Sequence, residues 1–366
     1  MNEPTPPSTP LRVVHVASGR EWRGGQRQVL LLARGLAGLP DIESVVLTGD
    51  DSVLADRCRA AGVVVHGVTW SMGLDPRVVR GLLGRLGPDS IVHAHDQHAH
   101  TLADAAARIR GGRVVVTRRV EFPIRHPARW QRATHAIALS RAVKARLQSI
   151  GLPDDHITII PPGVELADRM SAESWPAEVQ LPVDGSPFIL CIAALTPEKG
   201  LDVLFDAAAR LRADCPSLTW IVLGEGRDRK ALERRRLELG LEQVVSLPGH
   251  IERPEAVLAR AILLVQPSRS EGFGSSVLDA LALGIPVVAS DAGGLPESLA
   301  QGGGLLVPAG DAGALADAVH GLLTDPAQRE RLSGDGRVAA EAFSIPKLVS
   351  RTVEVYRSVA MTKLPQ

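Results

Sequence analysis

Short β-branched runs alternate with longer amphipathic stretches along nearly the whole chain, and this alternation limits the fold more than any other feature. "LRVVHVAS", "SVVLTG", "VVVHGVTW", "SIVHAH", "RVVVTRR" and "ATHAIALS" read as strands, with "QRQVLLLARGLAGL" and "VLADRCRAAG" as helices between the first of them. Strands that are apolar almost throughout are buried on both faces, so the rhythm predicts a parallel sheet covered by helices on each side. The rhythm breaks at 159–187, a stretch rich in Pro and acids, and resumes with "FILCIAAL", "LDVLFDAAARLR", "LTWIVLGEG", "VVSLPGH", "ILLVQPS" and "IPVVASDAGG". A chain of 366 residues is longer than one core usually serves. Two doubly wound domains follow. The ending "FSIPKLVSRTVEVYRSVA" places Leu348, Val349, Val353, Val355, Tyr356 and Val359 at helical spacing.

Composition narrows the class. Lys+Arg and Asp+Glu each number 41, so charge gives no sign of a nucleic-acid partner. Cys58, Cys191 and Cys215 are scattered without metal spacing and suggest a reducing compartment. No apolar run is long enough to span a bilayer, and the Pro-rich start "MNEPTPPSTP" lacks the pattern of a signal peptide. A soluble cytoplasmic protein is expected.

Ligands of open α/β sheets bind at the carboxyl ends of strands, and two such sheets facing each other would make a cleft. Gly24-Gly25 come just before an amphipathic helix, where backbone can approach an anion, although an ordinary turn reads the same way. Their spacing is not that of a dinucleotide fingerprint, so no nicotinamide cofactor is indicated. "HAHDQHAH", His93 to His100, offers either metal ligands or neutral hydrogen-bonding imidazoles. The strand places His93 and His95 on one face, with His98 and His100 in a following loop and Asp96 as a cleft carboxylate. Arg118 and Arg119 end another strand and suit phosphate or carboxylate. They also belong to a wider basic stretch with Arg125, Arg129, Arg132, Arg141, Lys144 and Arg146. Lys199-Gly200 precede a helix, where the ammonium could reach a diphosphate or serve as a surface charge. "EGFGSSVLDALALGIPVVAS" is the most informative stretch. Its Gly272–Ser276 turn (Gly272, Phe273, Gly274, Ser275, Ser276) enters a helix, so its amides and the Ser275 and Ser276 hydroxyls would face a diphosphate. Asp279, a turn further in, can accept from a ribose diol, and Glu271 on the loop would reach the sugar.

This last stretch resembles the E-x7-E motif of retaining GT-B glycosyltransferases of the family 4 type. Further segments appear in that family's order. "RGGQRQVLLLARGL" is similar to its Gly-Gly loop and first helix, and "SIVHAHDQHA" to its strand-end HxHD segment. "VLGEG", with Gly224, resembles the V-G-x-G turn, and "VSLPGHI", with His250 and Ile251, the segment that contacts the base. "DAGGLPESL" and "GLLVPAGD" resemble two more of its segments, and the last helix resembles one that crosses back to the first domain. Three positions depart from the pattern. Ala194-Leu195 stand where an Arg-Leu pair is usual, Asp279 replaces the second Glu, and Arg119 occupies the place of a histidine that contacts the donor sugar.

The resemblance implies an α/β GT-B fold with two Rossmann-like domains facing a cleft. The expected boundaries are a tail at 1–10, an acceptor-side domain at 11–165, a linker at 166–186, a donor-binding domain at 187–343 and a returning helix at 344–366. It implies a nucleotide-diphosphate sugar as donor, no further cofactor, no metal, and retention of anomeric configuration. Asp96, Arg119 and Glu271 are the catalytic candidates. Gly24, Gly25, Lys199, Gly224, His250, Ile251, the Gly272–Ser276 loop and Asp279 are the donor-binding candidates. The basic first domain suggests an anionic acceptor, a glycan or glycolipid of the lipopolysaccharide kind, reached in the cytoplasm or at the inner face of the membrane. A UDP-sugar epimerase of the same fold and a non-catalytic nucleotide-sugar binder are the rival readings.

Overall fold

The computed structural model describes residues 10–70, 75–87, 89–166, 179 and 186–362. The expected tail, apart from Pro10, lies outside the described residues. So does the expected linker, apart from Leu166, Val179 and Ser186. The chain forms two compact units. One comprises the chain up to Gly163 together with everything from Ile345 onward, and the other is Val164–Ser344.

The first unit holds strands β1 (Leu11–Ala17), β2 (Ile42–Gly49), β3 (Val65–Val68), β4 (Ile91–Ala94), β5 (Arg113–Arg118), β6 (His135–Ala138) and β7 (Ile157–Ile159). They form one parallel sheet in the order β3-β2-β1-β4-β5-β6-β7. Alternate residues of each strand face opposite sides. Val14, Val16, Val92, Ala94, Val114 and Val116 pack into one apolar layer. Val13, Ile91, Val115 and Ile137 pack into the other. Both layers are covered, which explains the apolar runs in the sequence. Strand order turns outward on either side of the β1/β4 pair, the point at which such sheets open a crevice.

The C-terminal helix, Ile345–Met361, completes this unit. Val349, Val353, Val355, Tyr356 and Val359 are buried against the second layer, each large apolar side chain contributing about 1.5–3 kcal/mol on full burial. Arg357 pairs with Asp41 at 2.6 Å, and the Tyr356 hydroxyl lies 2.6 Å from His93 Nδ1. The helix runs so close to helix Gly24–Leu36 that a Cβ at Gly35 would come within 2.4 Å of Val349 Cγ2.

The second unit holds β8 (Phe188–Ile192), β9 (Thr219–Leu223), β10 (Val245–Gly249), β11 (Leu263–Gln266), β12 (Val287–Ser290) and β13 (Gly304–Val307). Its parallel order is β10-β9-β8-β11-β12-β13, with the outward turn between β8 and β11. Helix Leu201–Leu211 buries Leu204, Phe205, Ala208 and Leu211 in a core with Trp220, Val222 and Val265. The loops after β8 and β11 therefore emerge side by side. Among the described residues no helix is long and apolar enough to cross a membrane.

The close contact at Gly35 gives a stability test. Overpacking costs about 1–3 kcal/mol and outweighs the helix gain of about 1 kcal/mol from Gly to Ala. Gly35→Ala should therefore lower the denaturant midpoint. Adding Val349→Ala should cost less in the Gly35→Ala background than in wild type. Strict additivity of the two losses would show that this contact does not set the helix position.

Candidate active site

In the second unit, two loops are joined at the switch point. After β8 a single turn of 3-10 helix, Pro197–Lys199, leads into Gly200 at φ +63° and then helix Leu201–Leu211. A Cβ on Gly200 would lie 2.1 Å from the Pro267 carbonyl oxygen, so only glycine allows this loop to meet the one after β11. The two are tied by the Arg269 amide, which donates to the Glu198 carbonyl at 2.8 Å, and by the Arg269 guanidinium, which forks onto both Asp202 oxygens at 2.7 Å. The result is an ion pair at the centre: Lys199 Nζ donates to Glu271 Oε2 at 2.6 Å, with both side chains mostly buried. Behind Glu271 the support is again backbone. Its carbonyl accepts from the Gly294 amide at 2.9 Å, and a Cβ on Gly294 would lie 2.3 Å from the Gly272 carbonyl oxygen.

The Gly272–Ser276 turn runs directly into helix Ser275–Leu283, with Gly274 at φ +86° as its cap. The first-turn amides of an α-helix have no partner within the helix and carry its positive end. An ammonium, a carboxylate and these amides together can hold a ligand that carries phosphate at one end and hydroxyls at the other. One side chain expected to face such a ligand turns inward, and the Phe273 ring of the same turn is buried too. The Ser276 hydroxyl donates inward to Gln266 Oε1 at 3.2 Å, continuing a buried chain in which Gln266 Nε2 donates to Ser268 Oγ. The Phe273 ring is 2% exposed and packs edge-on against Phe343 at 5.4 Å, because the turn needs an apolar anchor. Only the backbone of these two residues is available. Asp279 is buried within the helix. Gly224 follows β9, and beyond the end of β10 His250 is exposed and Ile251 buried. Leu195 is fully buried and bonded through its backbone to Glu225 and Asp228.

In the first unit, His15 and His93 are register partners on β1 and β4, so their side chains project from one face. His95 joins them just past the end of β4. His95 Nε2 lies 2.9 Å from His15 Nδ1, and Arg119 Nη2 lies 3.2 Å from His95 Nδ1. His93 is held separately, Nε2 against the Thr117 hydroxyl at 2.7 Å and Nδ1 against Tyr356. Burial holds all three imidazoles well down, His15 at about 3, with neighbouring His15 and Arg119 acting in the same direction on His93 and His95. They are neutral. Arg119 is partly exposed at the wall of a small pocket that also involves Gln28, His95, Thr117, Pro161 and Leu348. Its Nε is shielded from solvent and has no partner among the described residues. Burial lowers its pKa to about 10, against the opposing pull of Asp96, so it remains a cation at neutral pH. Arg118 turns the other way, onto the Trp130 ring and the Phe122 carbonyl.

Three expectations for this unit need correction. Asp96 does not present a free carboxylate. It caps helix Gln97–Arg110 through the Ala99 amide at 2.9 Å and accepts the Ser18 amide and hydroxyl, both at 2.7 Å. These bonds tie the β1 loop to the β4 helix. His98 and His100 lie in that helix, not in a loop, and His100 is buried edge-on against Trp130 at 4.8 Å. Gly24 and Gly25 are the first residues of helix Gly24–Leu36, not a turn before it. A Cβ on Gly25 would lie 3.8 Å from Arg119 Cδ, which puts the helix start beside the guanidinium. His15 and Arg269 escaped notice in the sequence. His15 sits mid-strand in an apolar run, and its partner is 80 residues away. Arg269 looks like a surface arginine until Asp202 is placed opposite it.

The family model described as Glycosyl transferases group 1 matches residues 175–338, and that described as Glycosyltransferase Family 4 matches residues 22–168. A glycogen synthase of Mycobacterium tuberculosis is 30% identical over 312 residues, covering 79% of this chain and 75% of that protein. A D-inositol 3-phosphate glycosyltransferase of Arthrobacter sp. is 34% identical over 235 residues, covering 62% of this chain and 56% of that protein. Among solved structures, Anabaena HepE in complex with UDP and glucose superposes with a TM-score of 0.80 at 20% identity, covering 95% of this chain and all of that one.

The neutral histidines make stability depend on pH. In the unfolded chain each returns to about 6.5, so below that pH the unfolded state binds more protons than the folded one. Stability present above pH 6.5 is therefore lost as the pH falls, by about 1.4 kcal/mol per pH unit for each such histidine. His15, His93 and His95 act together, and His100 and His135, both lowered to about 4 by burial, add to the slope. The urea midpoint should drop steeply between pH 6.5 and 5. A flat profile across that window would mean the cluster is not buried and neutral.

Proposed function

Since the chain belongs to the family 4 glycosyltransferases of GT-B fold, we propose that it transfers a sugar from a nucleotide-diphosphate sugar with retention of anomeric configuration, without a metal. The observation that carries this reading is the Lys199–Glu271 pair at the head of helix Ser275–Leu283. Lys199 and the first-turn amides of that helix bind the diphosphate, and Glu271 takes hydroxyls of the sugar. Asp279 accepts from the ribose, and the His250–Ile251 backbone borders the base. As the bond from the anomeric carbon to the diphosphate breaks, the acceptor oxygen bonds to that carbon from the same face. The acceptor proton passes to the departing phosphate oxygen. No side chain is needed as a covalent nucleophile, and negative charge on the leaving group is met by Lys199 and oriented amides.

The acceptor carries an anionic group, in a glycan or glycolipid. Arg119 supports this, as a permanent cation on a pocket wall with an unused donor and no carboxylate paired to it among the described residues. The first-unit helix start at Gly24-Gly25 adds positive potential beside it. The relative named D-inositol 3-phosphate glycosyltransferase points in the same direction.

Steady-state kinetics with a panel of nucleotide-sugars tests these roles. Lys199→Ala should lower kcat/KM by about ten- to a hundredfold, the range for one charge-assisted contact of roughly 1.5–3 kcal/mol. Arg119→Ala should lower turnover to a similar extent, with Arg119→Lys restoring only part, since a point charge replaces a fork. Asp279→Asn should raise KM for the donor. Activity should persist in excess EDTA. Loss in EDTA with recovery on adding a divalent ion would overturn the metal-independent reading, and wild-type kinetics for Lys199→Ala would overturn the placement of the diphosphate.

A further inference from the structure

We propose that His95, backed by His15, is the positioning residue that aims the Arg119 guanidinium into the first-unit pocket. The proposal rests on the role given to Arg119 above. The direction of every hydrogen bond in the chain follows from one fact, that a guanidinium only donates. Arg119 Nη2 faces His95 Nδ1 at 3.2 Å, so Nδ1 must carry a lone pair. A neutral imidazole then has its proton on Nε2, which donates to His15 Nδ1 at 2.9 Å. The ring geometry agrees: the His15 and His95 planes are within 20° of each other at a centroid separation of 5.2 Å, the spacing of two imidazoles sharing an in-plane hydrogen. His15 in turn carries its proton on Nε2, an atom that is buried and has no partner among the described residues. The chain thus runs one way, Arg119 to His95 to His15.

Each neighbour keeps His95 in this state. His93 packs against it, tilted by 35° at a centroid distance of 4.0 Å, but spends both nitrogens on the Thr117 and Tyr356 hydroxyls, so it does not compete for Arg119. Asp96 is nearby, yet its oxygens are engaged by Ser18 and Ala99. His95 is therefore the hydrogen-bond acceptor that Arg119 finds among the described residues. Nitrogens of His15, His93 and His95 also lie within 4.8 Å of one another, a grouping that could hold a metal ion. Two features favour the hydrogen-bond chain: both His93 nitrogens face hydroxyls, and the outer His95 nitrogen faces a guanidinium cation. What His95 contributes is direction. With one Nη fixed, the remaining guanidinium donors are held in a set plane at the pocket wall rather than swinging among rotamers.

The test combines substitution kinetics with imidazole NMR on the full chain. In Asn the side-chain oxygen can stand where Nδ1 stands, whereas in Gln it stands where Nε2 stands. His95→Leu should lower kcat/KM by about ten- to a hundredfold, as Arg119→Ala does. His95→Asn should retain most of the activity and His95→Gln little. In the Arg119→Ala background, His95→Leu should cost nothing further, because the two act as one unit. Nitrogen-15 NMR of the wild type near pH 7 should show His95 neutral with its proton on Nε2. A proton on Nδ1, additive losses in the double variant, or equal activity of the Asn and Gln variants would each overturn the proposal. If His95→Leu fails to fold, the Asn–Gln comparison and the tautomer decide. Wild-type kinetics for Arg119→Ala would remove the catalytic reading of Arg119 while the tautomer still tests the chain itself.

Discussion

Two backbone contacts too close for any side chain hold the second unit's site together. At Gly200 the loop after β8 presses on the carbonyl of Pro267, and at Gly294 the loop after β12 presses on that of Gly272. A Cβ at either place would force the loops apart. With the contacts made, Lys199 and Glu271 come within hydrogen-bond reach although they are 72 residues apart. The Arg269–Asp202 fork then locks the first of these approaches. The ion pair is thus a consequence of backbone packing. Its two members are mostly shielded from water, where an unpaired charge is costly, so each stabilises the other.

The two clusters handle charge in different ways. At Lys199 and Glu271 opposite charges meet. At Arg119 a cation is held by a neutral group. Arg119 has a histidine lone pair as its hydrogen-bond partner, and the nearby Asp96 caps a helix. Burial keeps His95 neutral, and Arg119 itself disfavours its protonation. The arrangement leaves Arg119 a cation at the pocket wall, offset only by the more distant charge of Asp96. The C-terminal helix matters here as well, because Tyr356 fixes His93 and so fixes the layer on which His95 rests.

Much of this was legible in the sequence because it is local. The alternation of apolar runs and amphipathic stretches announces parallel sheets, and the passage from Glu271 to Asp279 announces a glycine turn that opens a helix. The helical spacing of Val349, Val353 and Tyr356 announces a buried face. What was not legible depends on partners far along the chain. Asp96 at a strand end reads as a cleft carboxylate, and its bonds to Ser18, 78 residues earlier, and to the Ala99 amide appear only in the fold. His15 reads as a core residue of β1 until β4 is set beside it. The Ser276 hydroxyl and the Phe273 ring turn inward because Gln266 and Phe343 are there to receive them. Local pattern gives the element and its end, while the direction of a side chain at that end is decided by what packs against it.

The opposition of Lys199 and Glu271 can be measured without knowing the sugar or the acceptor. Each group is half of one ion pair, so under the proposed roles a free nucleoside diphosphate competes with Glu271 for Lys199. Titration calorimetry of nucleoside diphosphates against wild type and Glu271→Gln measures that competition directly. If Lys199 belongs to the diphosphate and Glu271 to the sugar, the variant binds the free diphosphate at least as tightly as wild type, while its transfer activity falls. Weaker binding of the free diphosphate by Glu271→Gln would contradict that division of roles.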